Sequence, residues 1–317
     1  MSGSDSMIPK RRGSGAALVT GAAGFLGGAV SRALRKAGWR VAGLDFLPGG
    51  KGFDHWTTGE ADRAALARAA EAIGAPEIVF HAAGGASVGA SLADPKTDHA
   101  RTVGSLMEML AFLKDHAPSA RLIYPSSAAV YGAASAKPLA ENYTLEPISP
   151  YALNKLHAEA EIIAASTEFG LEAVILRFFS LYGPGLRKQL LWDLAQRLTS
   201  GPSRLELSGS GEEQRDFLYI DDAVQLVGLA ARVRLSGAPR TWNGGRGEAI
   251  TVRQAAETLA RAMGKDVAID FSGETRAGDP TALVADVTAA RKLGFEPRTS
   301  FEDGVQAFAD WFAAVPA

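Results

Sequence analysis

The 317-residue chain contains no cysteine, which excludes disulfides, thiolate catalysis and cysteine-ligated zinc. Its five histidines stand singly, without metal-ligand spacing, so no metal site is expected. No stretch approaches the roughly 20 consecutive apolar residues that a membrane span requires. The first fifteen residues, MSGSDSMIPKRRGSG, have no apolar core behind their basic residues. They read as a disordered tail rather than a signal peptide, and a cytoplasmic location is expected. Charge of one sign is also missing: the formal net charge is −2, which favours a small-molecule partner over nucleic acid or an anionic membrane. Apolar residues at 47% and charged residues at 21% are ordinary for a globular enzyme with a sizeable core.

The first half carries a regular alternation. Apolar strands are expected at Ala16 to Thr20, Arg40 to Asp45, Glu77 to His81, Arg121 to Pro125 and Glu172 to Phe178. Helical patterns lie between them: the run to about Gly38, Ala61 to Ala72, Asp98 to Lys114 and Tyr151 to Glu168. Such alternation predicts an α/β fold, a Rossmann-type doubly wound parallel sheet covered on both faces. Ligands then gather beyond the carboxyl ends of the strands. After Ser180 the elements shorten and Pro, Gly and Arg become frequent, which predicts a smaller, interleaved C-terminal substrate lobe. The expected division is a tail over 1–15, a cofactor domain over 16–180 and a substrate lobe over 181–317. Part of 217–235 is expected to return to the first domain.

Gly21-Ala22-Ala23-Gly24-Phe25-Leu26-Gly27 joins the first strand to the first helix with the spacing G-x-x-G-x-x-G. The first glycine permits a tight turn, the second lets backbone approach a pyrophosphate, and the third lets helix pack close to strand. Helix N-terminal N–H groups then face the phosphates. Asp45, at the end of the next strand, suits the ribose hydroxyls of the adenosine and repels a 2′-phosphate, so the expected cofactor is NAD rather than NADP.

Tyr151 and Lys155, in SPYALNK, share one helix face. A nearby ammonium stabilises phenolate, which predicts a lowered tyrosine pKa and a general base for a hydroxyl proton. Ser127, in YPSSAAVYG, offers a hydroxyl to the substrate oxygen. His81, at a strand end, reads as a packed or positioning residue. Asp221 and Asp222 read as acids at a helix start rather than as metal ligands. The apolar stripe Leu106, Met109, Leu110 and Leu113 reads as core or subunit interface.

GAAGFLG, the Asp45 strand end, VFHAAG, SSAAVYG, SPYALNK, RFFSLYGPG, GSGEEQRDFLYIDD and TRAGDP, in that order, resemble the extended short-chain dehydrogenase/reductases. The resembling group is the NAD-dependent nucleotide-sugar epimerases and dehydratases. The resemblance covers about Ala16 to Phe312. It implies that Ser127, Tyr151 and Lys155 are catalytic, with Tyr151 as base and with Tyr151 and Lys155 also at the cofactor. It implies that Gly21, Gly24, Phe25, Leu26 and Gly27 surround the pyrophosphate, that Asp45 and Glu60 lie at the adenosine, and that Ala82, Ala83 and Gly84 line the cofactor channel. On the substrate side it implies Ser127, Ser180, Arg215 and Arg276, the arginines holding the diphosphate of a sugar nucleotide. Leu283 falls where relatives gate the pocket for N-acetylated sugars.

Two positions depart from the family pattern: Ser180 and Thr102 each stand where it carries asparagine. Ala128 and Ala129 follow Ser127 where dehydratases carry a threonine and a carboxylate, so no 4,6-dehydratase activity is expected. The expected protein is a homodimeric nucleotide-sugar 4-epimerase. Alternatives are a nucleotide-4-keto-sugar reductase and a non-catalytic NAD-binding regulatory protein.

Overall fold

The structure is a computed structural model that describes Ile8 and residues 15–85, 87–133, 138–201, 203–235, 237–274 and 280–315. Six strands form most of a central sheet: β1 (Ala16–Thr20), β2 (Arg40–Asp45), β3 (His55–Thr58), β4 (Ile78–His81), β5 (Arg121–Ser127) and β6 (Ala173–Phe178). A seventh, Arg240–Gly244, adds to the outer edge of β6. Every pairing is parallel, and the order is Arg240–Gly244, β6, β5, β4, β1, β2, β3. β1 and β6 are buried along their whole lengths, as strands covered on both faces must be. β1 runs on to β2 on one side and is bordered by β4 on the other, which opens a crevice at their carboxyl ends.

Helices α1 (Phe25–Lys36) and α8 (Ile220–Ala230) cover one face, where Val30, Leu34, Val224 and Val227 meet Val19 and Phe80. Ile8, within the expected tail, is buried in that same cluster. Helices α2 (Arg63–Ile73), α5 (Ser105–His116) and α6 (Pro150–Phe169) cover the other face. The stripe Leu106, Met109, Leu110 and Leu113 is buried there, so of its two expected roles it fills that of core.

The helix expected over Asp98 to Lys114 is three pieces: the end of α4 (Pro95–His99), a π turn over Ala100–Gly104, and α5, with α3 (Val88–Ala93) preceding them. Asp94 caps α4 by accepting from the Thr97 N–H, and the Ser105 hydroxyl donates to the Arg101 carbonyl within the widened turn. The strands at His55–Thr58 and Arg240–Gly244 were not foreseen; both are short edge strands whose sequences lack an apolar run.

Beyond Phe178 the strands are short. Ser180–Tyr182 pairs with Phe217–Tyr219, and Gln214–Arg215 lies between Ile250–Thr251 and Ala282–Leu283. Helices α7 (Gln189–Thr199), α9 (Val252–Ala262) and α11 (Phe301–Ala314) enclose a further core around Tyr182, Phe217, Phe301 and Phe308. Tyr182 makes ring contacts with Phe217, Tyr219 and Phe301 at 5.5–5.9 Å between centroids.

Helix α6 is sharply bounded: Ser149 accepts from the Ala152 N–H, Pro150 occupies the first turn, and Gly170 ends the helix in the left-handed region at φ 76°. It is pinned to the sheet by a buried ion pair. Arg177 of β6 donates from Nε to Glu159 Oε1 at 3.0 Å and from Nη2 to Oε2 at 2.7 Å. The side chains are 6% and 3% exposed. The Ser126 hydroxyl donates to Glu159 at 2.5 Å, and Arg177 Nη1 donates to Tyr131 Oη and the Glu141 carbonyl. Removing one partner strands the other charge, so Arg177→Met is expected to destabilise the protein by about 3–5 kcal/mol. Urea unfolding checks this, and the Glu159→Gln/Arg177→Met pair should cost less than the sum of the single changes.

Candidate active site

The glycine turn lies directly against the loop after β4. A Cβ on Gly21, whose φ is +64°, would stand 2.6 Å from the Ala82 carbonyl oxygen, and one on Gly27 would stand 2.1 Å from the Gly21 oxygen. Only glycine permits this approach. The resulting cleft of about 520 Å3 is lined by Gly21, Gly24, Asp45, Glu60, Ala82, Ala83 and Gly84, among others. Phe25 and Leu26 begin α1 beside it and pack against the core. Asp45 is more than a ligand in waiting. Its Oδ2 accepts from the Ala23 N–H at 2.9 Å and its Oδ1 from the Leu47 N–H at 3.0 Å, bracing the turn while leaving lone pairs free. Among the described lining residues, Asp45, Glu60, Asp62 and Glu108 face one arginine, Arg101. A glycine cradle that admits no Cβ and an acid-lined cleft fit a dinucleotide without a 2′-phosphate.

His81 anchors the loop from behind. Donor counting assigns the chain: the Ala83 N–H donates to Thr20 Oγ1, the Thr20 hydroxyl to His81 Nδ1, His81 Nε2–H to Ser105 Oγ, and Ser105 to the Arg101 carbonyl. Burial, followed by the charge of Lys155, lowers the His81 pKa from 6.5 to about 3. Its role is structural, holding Ala83 in place.

Ser127 closes β5 and accepts from the Ala129 N–H at 3.2 Å. Tyr151 stands in the first turn of α6, where its backbone N–H donates to the Ser91 hydroxyl at 3.0 Å. The Ser127 side chain stands beside the Tyr151 phenol. Lys155 lies one turn on, as its spacing predicts, but the electrostatic expectation is reversed. Lys155 Nζ donates to the Pro125 carbonyl at 2.9 Å and to Tyr124 Oη at 3.4 Å, and sits 5.9 Å from the centre of the Tyr151 ring. Desolvation raises the Tyr151 pKa above its usual 10, opposed by the Ser127 side chain. Burial likewise lowers Lys155 from 10.5 to about 8. Burial thus shifts both groups towards their neutral forms, leaving Tyr151 a phenol and Lys155 still an ammonium near neutral pH.

The remaining expected residues are more dispersed. Half-buried Ser180 begins its strand, with its N–H donating to the Asp216 carbonyl at 2.9 Å. Arg215 Nη1 donates to the carbonyls of Gln214 and Pro280, both at 2.9 Å. The neighbouring Asp216 carboxylate is occupied by the N–H groups of Arg246, Gly247 and Ala285, and burial raises its pKa to about 6. Arg276 lies outside the described residues. Sequence reasoning missed Ser91, Asp98, Asn154 and Glu159. Of these only Glu159 left a signal, since Tyr151, Lys155 and Glu159 recur every fourth residue. Among the described residues no cluster of three His, Asp or Glu side chains could hold a metal, and no helix is long and apolar enough to cross a membrane.

The fold and the cleft define a dinucleotide-binding Rossmann enzyme. Residues 17–245 match the profile of the NAD dependent epimerase/dehydratase family, and the chain belongs to that family. It is accordingly an NAD-dependent enzyme. It is 30% identical to a probable UDP-glucuronate 4-epimerase of Rhizobium meliloti, over 93% of this chain and 96% of that one. The crystal structure of UDP-glucose 4-epimerase with UDP-glucose from Thermotoga maritima superposes with a TM-score of 0.85 at 28% identity, covering 94% of this chain and 99% of that one. UDP-glucuronic acid 4-epimerase from Bacillus cereus, in complex with UDP-glucuronic acid and NAD, gives 0.84 at 25% identity over 94% and 99%.

Two outcomes are expected. Asp45→Ala should narrow the preference for NAD over NADP, measured as the ratio of dissociation constants by fluorescence titration. An unchanged ratio would relieve Asp45 of that role. For His81, the folded pKa lies below the unfolded value, so stability is full above about pH 6.5 and is lost as pH falls towards 3. The loss approaches about 1.4 kcal/mol per pH unit for one proton. Urea unfolding across that range should show a shallower slope for His81→Gln than for the wild type.

Proposed function

We propose that this protein is an NAD-dependent nucleotide-sugar 4-epimerase that oxidises its substrate transiently at carbon-4. The observation that carries the reading is the meeting of Ser127, Tyr151 and Lys155 at the carboxyl end of β5. Nearly full-length similarity to enzymes named as UDP-glucuronate and UDP-glucose 4-epimerases supports the same reading.

Bound NAD supplies the hydride acceptor at carbon-4 and the donor on return. Tyr151 withdraws the proton from the 4-hydroxyl and gives it back after the keto sugar has presented its other face. The Ser127 hydroxyl holds that oxygen in line with the phenol. Lys155, tied to the Pro125 carbonyl, stands 5.9 Å from the centre of the Tyr151 ring and offers positive charge on the same helix face. Glycines 21, 24 and 27 hold the pyrophosphate, Asp45 and Glu60 the adenosine, and the Ala82–Gly84 loop walls the channel. Ser180, Arg215 and Arg276 serve the sugar nucleotide, the arginines as phosphate partners.

In this reading residues 16–180, with part of 217–235 returning to them, hold the cofactor and the remainder of 181–317 the substrate. Exposed Met107, Leu153 and Ile163 on α5 and α6 supply the face of a homodimer, and the location is cytoplasmic. No carboxylate follows Ser127, which supports epimerisation over loss of the 6-hydroxyl.

Purified protein given UDP-glucuronate or UDP-glucose without added cofactor should interconvert 4-epimers through many turnovers, followed by NMR. Stoichiometric NADH consumption on a 4-keto sugar without epimer interconversion would make it a reductase. Tyr151→Phe should lower turnover by at least about 100-fold with NAD affinity little changed.

A further inference from the structure

Asp98 is a buried carboxylate, 5% exposed, that the proposed chemistry does not use. It lies on α4, immediately before the π turn, and reaches α6 across 56 residues of sequence. Asp98 Oδ2 accepts from Asn154 Nδ2 at 2.7 Å, and Asn154 Oδ1 accepts in turn from His99 Nδ1 at 3.0 Å. Asn154 is the residue before Lys155 and three after Tyr151, so this contact holds the one turn of α6 that carries both. The other carboxylate oxygen packs on Gly85, where a Cβ would stand 1.8 Å from Oδ1. The Gly85 N–H donates to Thr102 Oγ1 at 2.8 Å. One carboxylate thus touches both the catalytic helix and the loop that continues from Ala82, Ala83 and Gly84.

The charges that face Lys155 come from every element around it. Glu159 lies on its own helix and Asp98 on α4, Tyr124 on β5 and His81 on β4 pack against it, Tyr151 precedes it, and Lys188 approaches from the start of α7. Glu159 is matched by the bidentate guanidinium of Arg177. The amide partner of Asp98 is neutral. Asp98 leads the influences that oppose the effect of burial on Lys155, ahead of Glu159, and it raises Tyr151 as well.

We propose that Asp98 is a positioning residue of the reaction: through Asn154 it fixes the Tyr151–Lys155 turn, and its charge balances the buried Lys155 ammonium. This rests on Tyr151 and Lys155 being the reacting pair. Two variants separate the two roles. Asp98→Asn keeps the shape and removes the charge, whereas Asn154→Ala keeps the charge and removes the tether.

With Asp98→Asn, both limbs of the kcat/KM–pH profile should move to lower pH by about one unit, because both Lys155 and Tyr151 lose their proton more readily. With Asn154→Ala, kcat should fall at least about tenfold with the limbs unmoved. Ultraviolet titration of the cofactor-free protein, subtracting the Tyr151→Phe trace, should show the Tyr151 phenolate forming at lower pH in Asp98→Asn. Unmoved limbs and an unmoved phenolate titration in Asp98→Asn would overturn the role of the charge. Wild-type kcat in Asn154→Ala would overturn the tether, and it remains the deciding measurement if Asp98→Asn does not fold. Near wild-type turnover in Tyr151→Phe would instead remove the reading on which the proposal stands.

Discussion

The Glu159–Arg177 pair is the constraint on which the rest of the site depends. Two charges taken out of water must find each other with good geometry, and here a bidentate bond at 2.7–3.0 Å joins α6 to β6. That bond sets the rotation and depth of α6. Tyr151 and Lys155, two turns and one turn earlier on the same face, inherit their positions from it. Ser126 donates to Glu159 and Ser127 follows at once, so the strand end that carries Ser127 is tied to the same carboxylate. The network extends through Tyr131 to Asn243 on the edge strand, joining α6 to the β6 side of the sheet by side-chain hydrogen bonds.

A second theme is desolvation. His81, Tyr151 and Lys155 are each shifted first by burial, and each towards its neutral form. For His81 the result is a passive link that holds the loop at Ala83. For Tyr151 and Lys155 it means that proton affinity is set by the few charges and hydrogen bonds inside the site, Ser127, Asp98 and Glu159 foremost. A buried group whose pKa depends on so few partners is sensitive to each of them.

The cofactor cleft shows the same economy. The Asp45 carboxylate both braces the glycine turn through the Ala23 N–H and brings negative charge to the cleft mouth. Turn geometry and the charge of the cleft are therefore coupled through one side chain. Membership of the NAD dependent epimerase/dehydratase family agrees with that arrangement.

The sequence by itself determined what is local. Strand–turn–helix order, the three glycines, Asp45 at a strand end and the Tyr151–Lys155 spacing all follow from short-range rules of backbone geometry and helical periodicity. The parallel sheet and its crevice were legible for that reason, as was the placing of Tyr151 and Lys155 on one helix face. Only the tertiary structure decided what depends on burial and on contacts between distant segments. The π turn breaks a helix whose apolar stripe reads as continuous, and the edge strands at His55–Thr58 and Arg240–Gly244 exist because a neighbour offers them hydrogen bonds. The direction of the Tyr151 shift could not be read from spacing, since spacing shows the neighbouring ammonium and not the loss of water around the phenol. Asp98 left no mark in the sequence either, because its partner Asn154 comes beside it only when α4 packs on α6.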